Sequence, residues 1–526
     1  MTGRATALGR TFIARYRPGV TDLRTLIREV PRLEPDRPAI EYEGHWHIWR
    51  ELDDLMTSLD RLLAAAGLGE GAPIGVVTRN QPAVAATILG VVTSGRTMVV
   101  LDGLQPPDKL IADIRALGVA AIVAPSLIWE RPEISAVATE LGALGVELVN
   151  QPELAARLRP DLSEVRRNPG HEFRPGVAVL MQSSGTTGKP KRVPLSYSAL
   201  ERGTLDAMVY DRNRRPDDPP RLRSGTEVFV NPLGHIGGIN VLAIHLSSGR
   251  KLCLLEKFSV AEWAAAVRRH QPRAANLPPA ALRMLIEADV PPEDLASLVA
   301  LRTGTAPLDP QLAAAFTARY GVPVLQNYGA TEYAGGVAGW TLGDFRAHAT
   351  EKVGSVGRVH AEIEARTVDE ASGAPLPVGA TGVLELRGRQ LGDGVSWMRT
   401  TDLAVVDADR FLWIKGRADN VIIRGGFKVF PEPVVDVLHS HPDIREACVL
   451  GLPDERLGAV PVAAVIPAAG ASHWPTEEEL RTYCRERLTG YQVPARILVL
   501  PEFPRTFSMK PSQPQLRELF LAGGPA

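Results

Sequence analysis

Short apolar stretches of strand length alternate with helical patterns over the first ~400 residues, and this alternation constrains the fold more than any other feature. Pro73 to Thr78 reads as a strand, Val84 to Val92 as a helix, and Thr97 to Leu101 as a strand again. The rhythm recurs at Ala120 to Ala124, Val177 to Met181 and Glu227 to Val230. It continues through an amphipathic helix around Ala261 to His270 and the strand Val322 to Gln326. Strands separated by helical crossovers pair in parallel, so the pattern predicts an α/β class built from βαβ units. Around Gly382 to Arg387 short strands and turn residues predict a small antiparallel or barrel-like element. The Pro-, Asp- and Arg-rich stretch Asp211 to Gly225 reads as an exposed loop, and no repeat of 20–50 residues is present.

A change of texture falls near Gly416-Arg417-Ala418-Asp419-Asn420. Beyond it, strands at Val421 to Ile423, Ala447 to Leu450, Val462 to Ile466 and Ile497 to Leu500 enclose helices at Pro433 to His439 and Glu477 to Leu488. This predicts a large domain over 1–418 and a small α+β domain over 419–526. A chain of 526 residues also exceeds what one ordinary core organises.

A net charge of −1 gives no bulk attraction to nucleic acid or to an anionic membrane. The apolar run Ala83 to Val92 is broken by Thr93, Ser94, Gly95 and Arg96, too soon to span a bilayer. The start, with Arg4, Arg10, Arg15 and Arg17, lacks the apolar stretch of a secretory signal. Cys253, Cys448 and Cys484 have no metal-like spacing and read as reduced thiols, so a cytoplasmic protein is expected. Only nine of the 59 basic residues are Lys, and five of them (Lys189, Lys191, Lys415, Lys428, Lys510) lie in the segments discussed next. A compact ammonium in place of a planar fork suggests a chemical reason for the set.

The strongest motif is Ser183-Ser184-Gly185-Thr186-Thr187-Gly188-Lys189-Pro190-Lys191, between an apolar strand and a helix. Its glycines let successive N–H groups converge on one anion, and its hydroxyls and Lys189 add donors suited to phosphate oxygens. The spacing from Gly185 to Lys189 is not that of a Walker loop. The segment resembles the phosphate loop of the adenylate-forming superfamily of acyl-CoA synthetases, nonribosomal-peptide adenylation domains and beetle luciferases, and the resemblance runs from about Thr21 to Leu519.

The resemblance implies the following roles. Gln326-Asn327-Tyr328-Gly329-Ala330-Thr331-Glu332 is similar to the family segment whose Tyr stacks on adenine, with Thr331 on the α-phosphate and Glu332 on a magnesium ion that Thr186 also serves. Gly304, Thr305 and Ala306 resemble the loop along the adenine and the acyl pocket. Asp402, in Trp397-Met398-Arg399-Thr400-Thr401-Asp402, would bind the ribose hydroxyls together with Arg417, and Asp419 would be the hinge of the small domain. Gly425-Gly426-Phe427-Lys428 resembles the strand lining the coenzyme A tunnel. Lys510 occupies the position of the catalytic Lys, whose ammonium stabilises charge as pyrophosphate departs. His235 would be the gate beside an acyl pocket walled by Gly237, Gly304, Tyr333, Ala334, Gly335 and Gly336.

These roles imply an acyl-CoA ligase using ATP, Mg2+ and coenzyme A. No Asp between Asn231 and Asn240 offers to hold an α-ammonium, and the small apolar run after Tyr333 suggests a bulky, mostly apolar acid. Four features depart from the family pattern: Thr401 and Met509 stand where Gly is usual, Pro433 and Val435 where two Glu are usual, and the segment between Leu386 and Trp397 is short. They raise an alternative, a thioesterification enzyme fed by a preformed acyl adenylate. A stand-alone adenylation enzyme is a further alternative; with no carrier domain before Ala526, a carrier protein would be loaded in trans. Gly425, where luciferases carry a second Lys, argues against oxidation chemistry. The sequence leaves the oligomeric state open.

Overall fold

A computed structural model describes residues 22–166, 168, 170–183, 191–209, 219–468, 474–506 and 510–523. The predicted α/β class is observed. A seven-stranded sheet runs in the order Ala155–Leu158, Leu144–Val149, Ala121–Pro125, Pro73–Thr78, Thr97–Asp102, Val177–Ser183, Lys191–Ser196. Its five central strands are parallel and its two edges antiparallel. The helix Pro82–Val92 is apolar all round because it is buried on every side, with Pro at its first turn and Gly90 close to Met56. The longest apolar run of the chain is thus a core helix. Among the described residues, no helix is long and apolar enough to cross a membrane.

A second sheet of nine strands changes character half-way. Ala274–Asn276, Ala300–Thr303 and Val324–Ala330 are parallel, and their C-terminal ends face one cleft. From Gly335–Gly339 onward the sheet is antiparallel, through Gly357–Val359, Phe411–Arg417, Met398–Val406, Gly382–Gly388 and Ile363–Val368. The expected antiparallel element is therefore present, but it does not close as a barrel. It extends the parallel strands as an open meander, because Gly335–Gly339 pairs with Val324–Ala330 instead of leaving a separate sheet. A smaller sheet carries Thr226–Phe229, Lys251–Leu254, Pro38–Tyr42 and His45–Ile48.

The last sheet is built around the long antiparallel pair Ile444–Asp454 and Gly458–Pro467, flanked by Ile497–Val499 and by the hairpin Ile422–Arg424/Phe427–Val429. The helices Pro431–His439 and Glu477–Arg485 pack on it through Val434, Leu438, Leu480 and Cys484. The second helix begins at a capping box: Thr476 accepts from the Glu479 N–H, and Glu479 accepts from the Thr476 N–H.

Candidate active site

The ends of the strands Met398–Val406 and Phe411–Arg417 set the first group of side chains. Antiparallel pairing puts Asp402 opposite Arg417. Tyr328, near the end of Val324–Ala330, donates its phenolic O–H to the Asp402 carboxylate, and the Tyr333 hydroxyl lies 3.4 Å from that of Tyr328. Burial pushes the Asp402 carboxyl above its ordinary range, while the Tyr328 hydrogen bond and the Arg417 charge oppose the rise. Arg417 is held at both ends of its fork. Its Nε and Nη2 donate to the two Asp419 oxygens at 2.8 and 2.7 Å, and Nη2 also donates to Thr401 Oγ1 at 2.7 Å.

Lys510 enters the same cleft from the far end of the chain. The bridge between Arg505 and Pro511 and the Thr506 N–H bond to the Lys510 carbonyl (2.8 Å) fix the backbone around it. Burial and the Arg417 charge hold the Lys510 ammonium below its usual range. His235 precedes the helix Ile236–Ser247, and burial lowers its pKa, with Lys510 adding to the fall and Asp102 opposing it. Thr331 and Glu332 form the turn directly after Val324–Ala330 and line the cleft.

Close backbone approach shapes the walls. A Cβ on Gly304 would stand 1.9 Å from Asn327 Oδ1, and the next residue, Thr305, has a left-handed φ of +68°. Asn240 donates to the Ala334 carbonyl at 2.7 Å, and Gln390 Nε2 donates to the carbonyls of Tyr333 and Gly336, both at 3.1 Å. Gly237 has open space where a side chain would be.

Most of the residues singled out from the sequence meet at this cleft, including Ala306, Gln326, Gly329, Gly335 and Gly336. Two groups do not. Ala334 is fully buried behind the wall. The Gly425-Gly426 turn lies outside the cleft, with Phe427 stacked on Tyr491 and Lys428 paired to Glu370 at 2.6 Å. Ser184 to Lys189, and Met509, lie outside the described residues, as does the Ser183 side chain. The whole cleft has a volume of about 4980 Å³. That is several times the ~300–1,000 Å³ of a small-molecule pocket, so it has room for more than one ligand group.

Residues 27–395 match the family model of the AMP-binding enzymes, and residues 436–510 match the AMP-binding enzyme C-terminal domain. The chain belongs to the AMP-binding enzyme family. It is 27% identical over 503 residues to a 2-succinylbenzoate–CoA ligase of Bacillus cereus, covering 93% of this chain and 96% of the relative. It is 28% identical to 4-coumarate–CoA ligase 3 of Oryza sativa, covering 92% and 89%. Among solved structures, the amide bond synthetase McbA of Marinactinospora thermotolerans superposes with a TM-score of 0.77 at 27% identity, covering 95% of this chain and 100% of that one.

For an AMP-binding enzyme, two of the departures read differently in three dimensions. Thr401 is no bystander, since its hydroxyl anchors Arg417. Beside Pro433 and Val435, Glu432 reaches into the cleft. Its carboxylate lies against Gly416, where a Cβ would be 2.5 Å from Oε2, and burial raises its pKa. Sequence reasoning also missed Asn240 and Gln390. Each is a neutral side chain whose role is set by a distant backbone carbonyl, and no local spacing signals it.

Proposed function

We propose that this AMP-binding enzyme is an acyl-CoA ligase that activates a bulky, mostly apolar carboxylic acid with MgATP and transfers the acyl group to the thiol of coenzyme A. The convergence of Tyr328, Asp402, Arg417, Glu332, His235 and Lys510 on one cleft supports this reading most strongly. The names of the curated relatives, both CoA ligases, point the same way.

In this reading the adenine lies along Gly304, Thr305 and Tyr328, and Asp402 and Arg417 take the ribose hydroxyls. The donor set fits a nucleotide: a buried carboxylate accepts O–H bonds, and the fixed guanidinium donates beside it. Glu332, with Thr186 on the phosphate loop, would hold the magnesium ion, which supplies hard-cation shielding of the phosphates. The substrate carboxylate attacks the α-phosphorus in line, pyrophosphate leaves, and the Lys510 ammonium stabilises the charge that develops. Domain 419–526 then turns about Asp419, carrying Gly425, Gly426, Phe427 and Lys428 to the path of the thiol. The thiol attacks the mixed anhydride and AMP leaves.

The test is pyrophosphate release from MgATP over aliphatic, aromatic and polycyclic acids, read together with acyl-CoA formation. Release with acyl-CoA from bulky apolar acids supports the reading. Best turnover of acetate would refute the apolar pocket, and amide formation with an amine but no acyl-CoA with coenzyme A would move the reaction to amide bond synthesis, the activity in McbA's name. Silence with acids, but acyl-CoA from a synthetic acyl adenylate, would favour the thioesterification enzyme. In that case Met509→Gly should restore pyrophosphate release.

A further inference from the structure

Asp206 lies on the helix Tyr197–Val209, three residues beyond Gly203, and both line the cleft. Gly203 fixes where this helix face sits, because a Cβ there would stand 2.6 Å from the Ala334 carbonyl oxygen. Residues three apart share a face, so Asp206 is carried alongside the wall of Gly335 and Gly336, behind which Ala334 is buried. That wall starts beside Thr331, whose carbonyl accepts from the Ala334 N–H at 3.1 Å, and continues into Gly335–Gly339. Gly336 reaches His360, whose Cε1 would be 3.5 Å from an added Cβ, and Glu362 follows two residues on.

Arg202, Glu362 and Arg389 line the cleft as well, and theirs are the charges that act on Asp206. Among the described residues none of these four side chains takes part in an ion pair. Burial, with Glu362 adding to it, pushes the Asp206 carboxyl up to about 6. Asp206 and Arg202 are half-buried, while Glu362 and Arg389 are exposed. A half-buried carboxylate without a partner beside a small apolar wall is costly unless a ligand completes it. Two carboxylates and two guanidiniums sum to no net charge, which favours a neutral group over a second carboxylate or an ammonium. A hydroxyl both donates to a carboxylate and accepts from a guanidinium.

We propose that Asp206 is a specificity-determining residue that accepts a hydrogen bond from a hydroxyl at the far end of the acid. The preferred substrate is then apolar along its length and hydroxylated at the end remote from its carboxylate. This rests on the ligase reading above.

The experiment uses acyl-sulfamoyl adenosines, stable mimics of the acyl adenylate, whose arylalkyl acyl groups end in hydrogen, hydroxyl, carboxylate or ammonium. Binding to the full-length protein is measured by calorimetry. The hydroxyl member should bind about tenfold tighter than the hydrogen member, the size of one completed hydrogen bond. In Asp206→Ala that gap should fall below about twofold, with the hydrogen member unchanged. Asp206→Asn, which keeps an acceptor, should retain part of it. Tightest binding by the hydrogen, carboxylate or ammonium member, or a gap that survives in Asp206→Ala, overturns the proposal while leaving the ligase reading intact. No binding by any member overturns both.

Discussion

Tyr328 donates its phenolic O–H to the carboxylate of Asp402, 74 residues further along the chain. The bond joins the end of a parallel strand to the antiparallel meander, so the proposed adenine and ribose contacts form one unit. Tyr328→Phe removes the donor and leaves a buried carboxylate short of a partner, at a cost of about 1–3 kcal/mol. We expect the KM for ATP to rise roughly five- to tenfold while kcat changes less than about twofold. Steady-state kinetics with varied ATP check this, and an unchanged KM would remove Asp402 from the ribose site.

Arg417 gives a second expectation. Its Nη2 donates to Thr401 at 2.7 Å, so the residue that replaces a customary Gly helps aim the guanidinium. Thr401→Val keeps the shape and deletes the acceptor. The KM for ATP should rise about threefold to fivefold, and Thr401→Ser should restore it, since one exposed hydrogen bond is worth about 1 kcal/mol. A faster enzyme after Thr401→Gly would show instead that the side chain is an impediment.

The alternation of strands and helices was legible because burial imposes a period on apolar residues. Pro73–Thr78, Pro82–Val92 and Ile422–Arg424 lie within about two residues of where that period puts them. The polar residues Tyr328, Asp402, Arg417 and Lys510 were legible only through a family motif, since nothing local says that four segments meet. Asn240, Gln390 and Asp206 were not legible at all. Asn240 reaches a carbonyl of Ala334 and Gln390 the carbonyls of Tyr333 and Gly336, while the charges that act on Asp206 come from Arg202 on its own helix and from Glu362 and Arg389 far along the chain, an arrangement that only the folded chain assembles. Whether the expected antiparallel element closes was left open for a related reason, because sheet closure depends on which strands pair and not on how apolar each strand is.

Gly304 offers a steric test. An Ala there would place its Cβ 1.9 Å from Asn327 Oδ1. The side-chain amide must turn away or the loop must shift, and the adjoining Thr305 already sits at φ +68°. We expect Gly304→Ala to lower kcat/KM for ATP by about 10- to 100-fold, with a stability loss of about 1–3 kcal/mol. Thermal unfolding read beside the kinetics separates the two effects. Full activity would mean that the loop is free to move.

Glu227 supplies a pH dependence. It is buried beside Asn276, whose Nδ2 donates to it at 3.3 Å, and burial pushes its carboxyl up to about 7. The charges of Arg250 and Arg302 oppose that rise. In the unfolded chain the same group titrates near 4.5. Between these values the folded state binds more protons than the unfolded state, so this group's contribution to stability falls as pH rises from about 4.5 to about 7. Below that window the contribution is fully present; above it the loss is complete and flat, on the order of 3 kcal/mol. Glu227→Gln removes the titration and keeps the hydrogen bond from Asn276. The difference in unfolding free energy between variant and native protein should therefore grow in favour of the variant as pH rises through the window. Chemical denaturation at pH 5, 6, 7 and 8 measures it, and parallel pH profiles for the two proteins would show that Glu227 is ionised in the fold at its ordinary pKa.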